Sequence, residues 1–178
     1  MLFNIGVASE KEKIVFRDYV TRTQNLILEG EMSDAFNVWD EMINGDIYPY
    51  PNYYHNVTGS NDYDNFMDTN EPASLSYYFP FVTAPNTRKG IHAGGAVYND
   101  GSLCEHNLVS DFMVSFKDEM SALMDNYKVL IYSGQLDVII GAALTEAMMP
   151  TIPWSGRDKF LAQDKKVWRV DPSDTEVA

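Results

Sequence analysis

Apolar positions recur at helical spacing at the front of the chain. Ser9 followed by Glu12 is a capping box, and Val15, Phe16, Tyr19, Val20, Leu26 and Ile27 carry one apolar stripe up to Gly30, which predicts a helix from about Ser9 to Glu29. Ser33 reads as the cap of a second helix with Phe36, Trp39, Met42 and Ile43 on its stripe, stopped by Asn44 and Gly45. From Asp46 to about Pro80 the period dissolves into Tyr, Asn, Asp and Pro. This stretch reads as irregular but ordered, either a packed loop over the helices or an aromatic wall beside a cleft. Pro85 opens a short helix that ends at Gly94 and Gly95, and Phe112, Met113, Phe116, Met120, Leu123 and Met124 predict a longer one from about Ser110 to Asn126.

The period then changes. Val129 to Tyr132, "VLIY", are four consecutive apolar or aromatic residues, the pattern of a strand buried on both faces. Gly134 and Asp137 follow in a tight turn, and a helix over Val138 to Met149 is cut off by Pro150. The tail predicts a short amphipathic helix in "PWSGRDKFLAQDKK", a strand in "VWRV" and a turn at "DPSD", with Val177 and Ala178 opening a return strand. Helices around a buried strand make the expected class α/β, and the unpaired last strand marks the chain as a piece of something larger.

Composition narrows the function. The 178 residues are 45% apolar, enough for one domain with a packed core. With 26 acids against 13 Lys and Arg the net charge is -13, which disfavours nucleic acid and anionic membrane surfaces as partners. No segment has membrane-spanning length, and the first residues lack the basic start and apolar run of a signal peptide. The single Cys104 reads as a small buried hydrophobe. "NVT" at Asn56 to Thr58 is a glycosylation acceptor, expected on an exposed loop.

Asp137 is the candidate catalytic group because it stands at the carboxyl end of the predicted strand, where α/β sheets gather their ligands. On position alone an acid there is more often a turn former or cap than a catalyst. A hydrolase triad in the order Ser, Asp, His needs a G-x-S-x-G elbow before the acid and a histidine after it. The sequence has no such elbow, and His55, His92 and His106 all precede Asp137. If Asp137 is a triad acid, its nucleophile lies before Met1 and its base after Ala178. His92 reads as a helix-end residue facing free carbonyls. His55 and His106 lack metal-ligand spacing, and "GGAVYNDG" lacks the lysine of a phosphate loop, so neither metal nor cofactor is expected.

"VLIYSGQLDVIIGAALTE", with "RKGIHAGG", "NYYHNVTGSNDYDNF" and the Trp154-Ser155-Gly156 turn, resembles the serine carboxypeptidase family, especially its vitellogenic-like branch. Its Tyr-x-Gly-x-x-Asp motif is matched by Tyr132, Gly134 and Asp137, and its later Trp-x-Gly by Trp154 and Gly156. The resemblance implies a partial α/β-hydrolase fold with part of an inserted helical cap. Residues 1–75 would be cap and aromatic loop, and residues 76–178 an incomplete hydrolase core. It implies removal of single residues from peptide carboxyl ends, with a secretory, lysosomal or extracellular location. The family's Gly-Glu-Ser-Tyr-Ala-Gly, Asn-Gly-Gly-Pro-Gly and Gly-x-Gly-His segments are absent, so Asp137 alone carries over and the chain by itself is expected to be inactive. The alternative is a non-catalytic binding protein derived from a degenerate copy. Nothing in the residues fixes an oligomeric state.

Overall fold

Ser9 forms the capping box that its spacing predicts. Its hydroxyl accepts from the Glu12 N–H at 3.4 Å, and the Glu12 carboxylate accepts from the Ser9 N–H at 2.5 Å. This opens α1, Glu10–Glu29, in the computed structural model of the chain, which describes residues 2–47, 51–99, 101–169, 171, 173 and 175. Gly30 ends α1 with a left-handed φ of 84°, so that the Gly30 and Glu31 N–H groups close onto the carbonyls of Ile27 and Leu26. The reversal at Gly30 lets α2, Met32–Trp39, begin at once from an N-cap at Glu31. Ser33 therefore lies inside the helix and is not its cap.

α2 widens into a π-helical turn, Asp40–Asn44, which Gly45 closes at φ 78°. The turn drives the Asp40 carboxylate into the interior. There it is fully buried and accepts from the Asp46 N–H at 3.0 Å, the Ile47 N–H at 3.1 Å and the Asn44 amide at 3.0 Å. Asn52 caps α3, Tyr53–Thr58, through its side-chain oxygen on the His55 N–H, while its amide donates to the Ile43 carbonyl at 2.7 Å. One buried side chain thus ties the short helix to the π turn. Tyr54 is buried with its hydroxyl on the Asp62 carbonyl, and Tyr53 packs edge-on to Phe16 with centroids 4.9 Å apart. Both tyrosines lie on α3, so the stretch is helical there and not irregular as expected, with Tyr54 packed into the core; Tyr48 and Tyr50 lie outside the described residues.

A 3-10 turn, Ala73–Ser76, leads to α4, Tyr78–Thr83, and Pro85 starts α5, Pro85–Gly90. Past α5, Arg88 folds the "GIHAGG" turn by donating to the carbonyls of Gly94, at 3.1 Å, and Ala96. His92 takes a left-handed φ of 58° there and donates its N–H to Lys89. The single helix predicted over Ser110 to Asn126 is instead two, α6 at Ser102–Phe112 and α7 at Lys117–Asn126. The break falls on Met113 to Phe116, where the Val114 N–H turns back onto Asp111 and a β-branched residue and a serine favour non-helical backbone. Cys104 is exposed on α6, not buried as expected.

The "VLIY" strand is not formed. Residues 129–132 form no regular element and lie outside any ladder, with Leu130 85% and Tyr132 89% exposed. A strand persists only within a sheet, and the described residues supply this segment no partner. Residues 167–169 of "VWRV" likewise form no strand, while Val170, Val177 and Ala178 lie outside the described residues. Every regular element among the described residues is helical, so the expected mixed class is not realised in them. The helix after the turn is α8, Ala142–Met148, shorter at its start than predicted because Gly141 accepts the first helical bonds. A 3-10 turn, Met149–Thr151, and α9, Arg157–Leu161, complete the elements.

Two compact units result, residues 1–115 with 132–145, and residues 116–131 with 146–178. In the first, Leu2, Ala8, Ile43, Tyr54 and Val138 form the core, and Phe36, Trp39 and Phe112 join α2 to α6 as a ring cluster with centroids 4.9–5.6 Å apart. In the second, Trp154 lies over Gly156 so closely that a Cβ there would stand 2.1 Å from the indole. That contact gives the Trp-x-Gly pair its physical reason. The Asp125 carboxylate holds the same turn, accepting from the Ser155 N–H and hydroxyl, and these bonds lower its pKa.

Candidate active site

Asp137 sits in a turn that its own side chain helps to fold. Its Oδ1 accepts the Ile140 N–H at 2.7 Å, while Ser133 donates its hydroxyl to the Ile140 carbonyl at 2.7 Å. Gly134 lies against the acid, because a Cβ there would be 3.8 Å from that of Asp137. Tyr132, the remaining member of the motif, is exposed.

A distant loop grips the turn from the other side. The Phe66 N–H donates to the Leu136 carbonyl at 3.0 Å, and the N–H groups of Val138 and Ile139 both reach the Tyr63 carbonyl, at 2.9 and 3.3 Å. Both residues flanking Asp137 are thus fixed by backbone bonds to residues 63–66. That loop is ordered by buried Asp62, whose Oδ1 accepts from the Asp64 and Asn65 N–H groups at 2.9 and 3.0 Å. Val138 closes the arrangement by burying its side chain in the core. Sequence reasoning missed Asp62 and Asp64; the Asp-x-Asp-Asn spacing of "DYDN" is the signal that could have found them.

The electrostatics are those of a negative patch. Burial, followed by the charges of Asp137, Asp62 and Glu71, raises the pKa of Asp64. Burial, with Asp46 and Asp64 among its neighbours, pushes the Tyr63 phenol far above its ordinary range. Such a patch favours a cation beside it. Asp137 Oδ2 accepts no hydrogen bond from the described residues, so this oxygen is open to an incoming N–H.

None of the three histidines is brought to Asp137 by these bonds. His55 Nδ1 meets the Ser60 carbonyl at 3.2 Å, His92 belongs to the turn after α5, and His106 is exposed on α6. Asn56 is exposed, but on helix α3 and not on a loop, with its N–H donated to Asn52 and the Thr58 hydroxyl donated to the Tyr54 carbonyl. Among the described residues no group of three or more His, Cys, Asp or Glu is placed to hold a metal ion. No helix among them is long and apolar enough to cross a membrane.

The sequence model of the serine carboxypeptidase family matches residues 8–178. The chain belongs to that family. It is 39% identical over 177 residues to the probable serine carboxypeptidase CPVL of Homo sapiens, covering 99% of this chain and 37% of that protein. The venom serine carboxypeptidase of Apis mellifera is 32% identical over 171 residues, 95% of this chain and 37% of its own length. The vitellogenic carboxypeptidase of Aedes aegypti is 31% identical over 125 residues, 67% of this chain and 26% of its own. No solved structure matches. The chain therefore spans about 37% of the length of the human and honeybee relatives. Membership implies an α/β-hydrolase fold for the family, whereas the residues described are helical.

Proposed function

We propose that Asp137 is the acid of a Ser-His-Asp triad in a serine carboxypeptidase that releases single residues from the carboxyl ends of peptides. The observation that carries this reading is the open Oδ2 of Asp137, on a turn whose Oδ1 and flanking backbone are already committed. In the whole enzyme that oxygen accepts the N–H of the histidine. The bond fixes the tautomer that takes the serine proton, and the carboxylate stabilises the imidazolium as serine attacks the peptide carbonyl. Asp64 adds a second negative charge near the same place, which favours the imidazolium further.

Serine, base and oxyanion donors are supplied by polypeptide other than residues 1–178, because no serine elbow is present and none of the three histidines is brought to Asp137 here. Residues 1–178 alone then hydrolyse nothing, since a carboxylate without a nucleophile has nothing to activate. The same proposal makes residues 1–75 part of a helical cap and residues 76–178 part of the hydrolase core, in which "VLIY" becomes a strand once neighbours flank it. A secretory or lysosomal route, with Asn56 as a glycan acceptor, is supported by the name of the honeybee relative as a venom enzyme and by the exposure of Asn56.

The test is Asp137→Asn in the full-length enzyme, assayed on a blocked dipeptide. Turnover is expected to fall by about four orders of magnitude, with the KM little changed, as in other serine triads that lose the acid's charge. A variant that keeps wild-type turnover refutes the assignment.

A further inference from the structure

The face of α1 beside the core carries the basic side chains of a cleft of about 460 Å³. Lys13 and Arg17 stand one helical turn apart on that face, with Phe16 and Val20, and the opposite walls come from Met42 and from Val138 and Leu144. Val138 is the residue after Asp137, so the cleft begins beside the proposed triad acid. Two features distinguish it. It is walled mostly by apolar side chains, and although acids outnumber Lys and Arg two to one in the chain, no acid lines it. Its two charged lining residues are both cations.

The two cations are not equivalent. Lys13 holds its ammonium 3.7 Å from the Phe3 ring centroid and 3.4 Å from the Glu10 carboxylate, so its charge is partly used within the fold. Arg17 is exposed and has no ion pair or hydrogen bond among the described residues. A guanidinium with its fork unpaired, at the edge of an apolar cleft, is built to take a carboxylate through two parallel N–H bonds while apolar groups bury below.

The geometry points to a subsite in which Arg17, assisted by Lys13, binds a carboxylate of the peptide substrate next to an apolar side chain held between Phe16, Met42 and Val138. This rests on the peptide-processing reading above and names which substrates that site prefers. A net charge of -13 repels anionic peptides at long range, and Arg17 supplies the local attraction that admits them. The carboxylate is that of an acidic side chain, and the amidated peptides separate it from the terminal one.

Binding is measured by calorimetry on the full-length protein with four forms of one tetrapeptide containing Leu and Phe. The terminus is free or amidated, one residue is Glu or Gln, and the last amide is N-methylated so that it resists cleavage. Arg17→Glu is expected to weaken the carboxylate-bearing peptide about tenfold and the fully neutral one less than twofold, with Arg17→Lys in between. Raising the salt should shrink the wild-type preference, because the site is partly exposed. Loss of the effect on Glu to Gln supports the proposal, whereas loss on amidation alone overturns it. Equal weakening of charged and neutral peptides, no weakening, or no wild-type preference for the charged forms overturns the proposal. Because the peptides are not cleaved, failure here and failure of the Asp137→Asn test are separate results.

Discussion

Replacing Asp40 tests the energetics of the helical core most directly. Its carboxylate is fully buried and accepts from two backbone N–H groups, of Asp46 and Ile47, and from the Asn44 amide, at 3.0–3.1 Å. These bonds turn the chain out of the π-helical segment and toward α3. A hydrogen bond to a charged group contributes about 1.5–3 kcal/mol, and the three are not additive, because one carboxylate serves them all. Asp40→Ala removes the acceptor and leaves a void, so a loss of about 3–5 kcal/mol is expected. Asp40→Asn keeps the shape and one acceptor oxygen but points an NH2 group at a donor, and should cost about 1.5–3 kcal/mol. Urea unfolding with both variants gives the comparison, provided the slope with denaturant is unchanged. The reasoning fails if Asp40→Asn is within about 0.5 kcal/mol of wild type, a size typical of surface changes.

Two further outcomes follow from single contacts. Gly156→Ala places a methyl where the Trp154 ring now lies, so either the ring or the backbone must shift, at a cost of about 1–3 kcal/mol, read as a lower unfolding midpoint with altered tryptophan fluorescence; an unchanged midpoint and spectrum would contradict the close approach. Glu105 titrates above its ordinary value of 4.5, through burial and then the charge of Asp46, so the native state holds its proton more tightly than the unfolded chain. Its contribution is fully present below 4.5 and is lost as pH rises through the raised value, which makes α6 docking firmer in acid. Glu105→Gln should therefore gain stability relative to wild type at pH 7.5 compared with pH 4.5, and a difference independent of pH would reject the shift.

What could be read in the residues is what local chemistry decides. Ser9 and Glu12 specify α1 because both partners of the box lie three positions apart, and Gly45 stops the π turn because only its backbone reaches that left-handed φ at no cost. Ser33 misled because a good capping residue is no cap when Gly30 has already reversed the chain three residues earlier. The burial of Asp40 and Asp62 was not legible, since each depends on backbone N–H groups that converge only after the turn has formed. "VLIY" failed for the opposite reason. Its pattern describes what would cover a strand, and the described residues do not provide that cover.

The contrast between "VLIY" and Asp137 bears on how the acid is held. Leu130 and Tyr132, seven and five residues before Asp137, are bared, yet the acid itself is fixed by its Asx bond, by the Ser133 hydroxyl on Ile140 and by three backbone bonds to residues 63–66. None of those bonds needs a sheet. The position of the carboxylate is therefore set by the loop that Asp62 organises and by Val138 in the core. On the proposed triad role, an acid that meets a histidine from another segment gains from this arrangement, because its support lies within the unit of residues 1–115 with 132–145. On this argument the Tyr-x-Gly-x-x-Asp motif has two parts with different duties. Gly134 and Asp137 build the turn, whereas Tyr132 stands exposed before it.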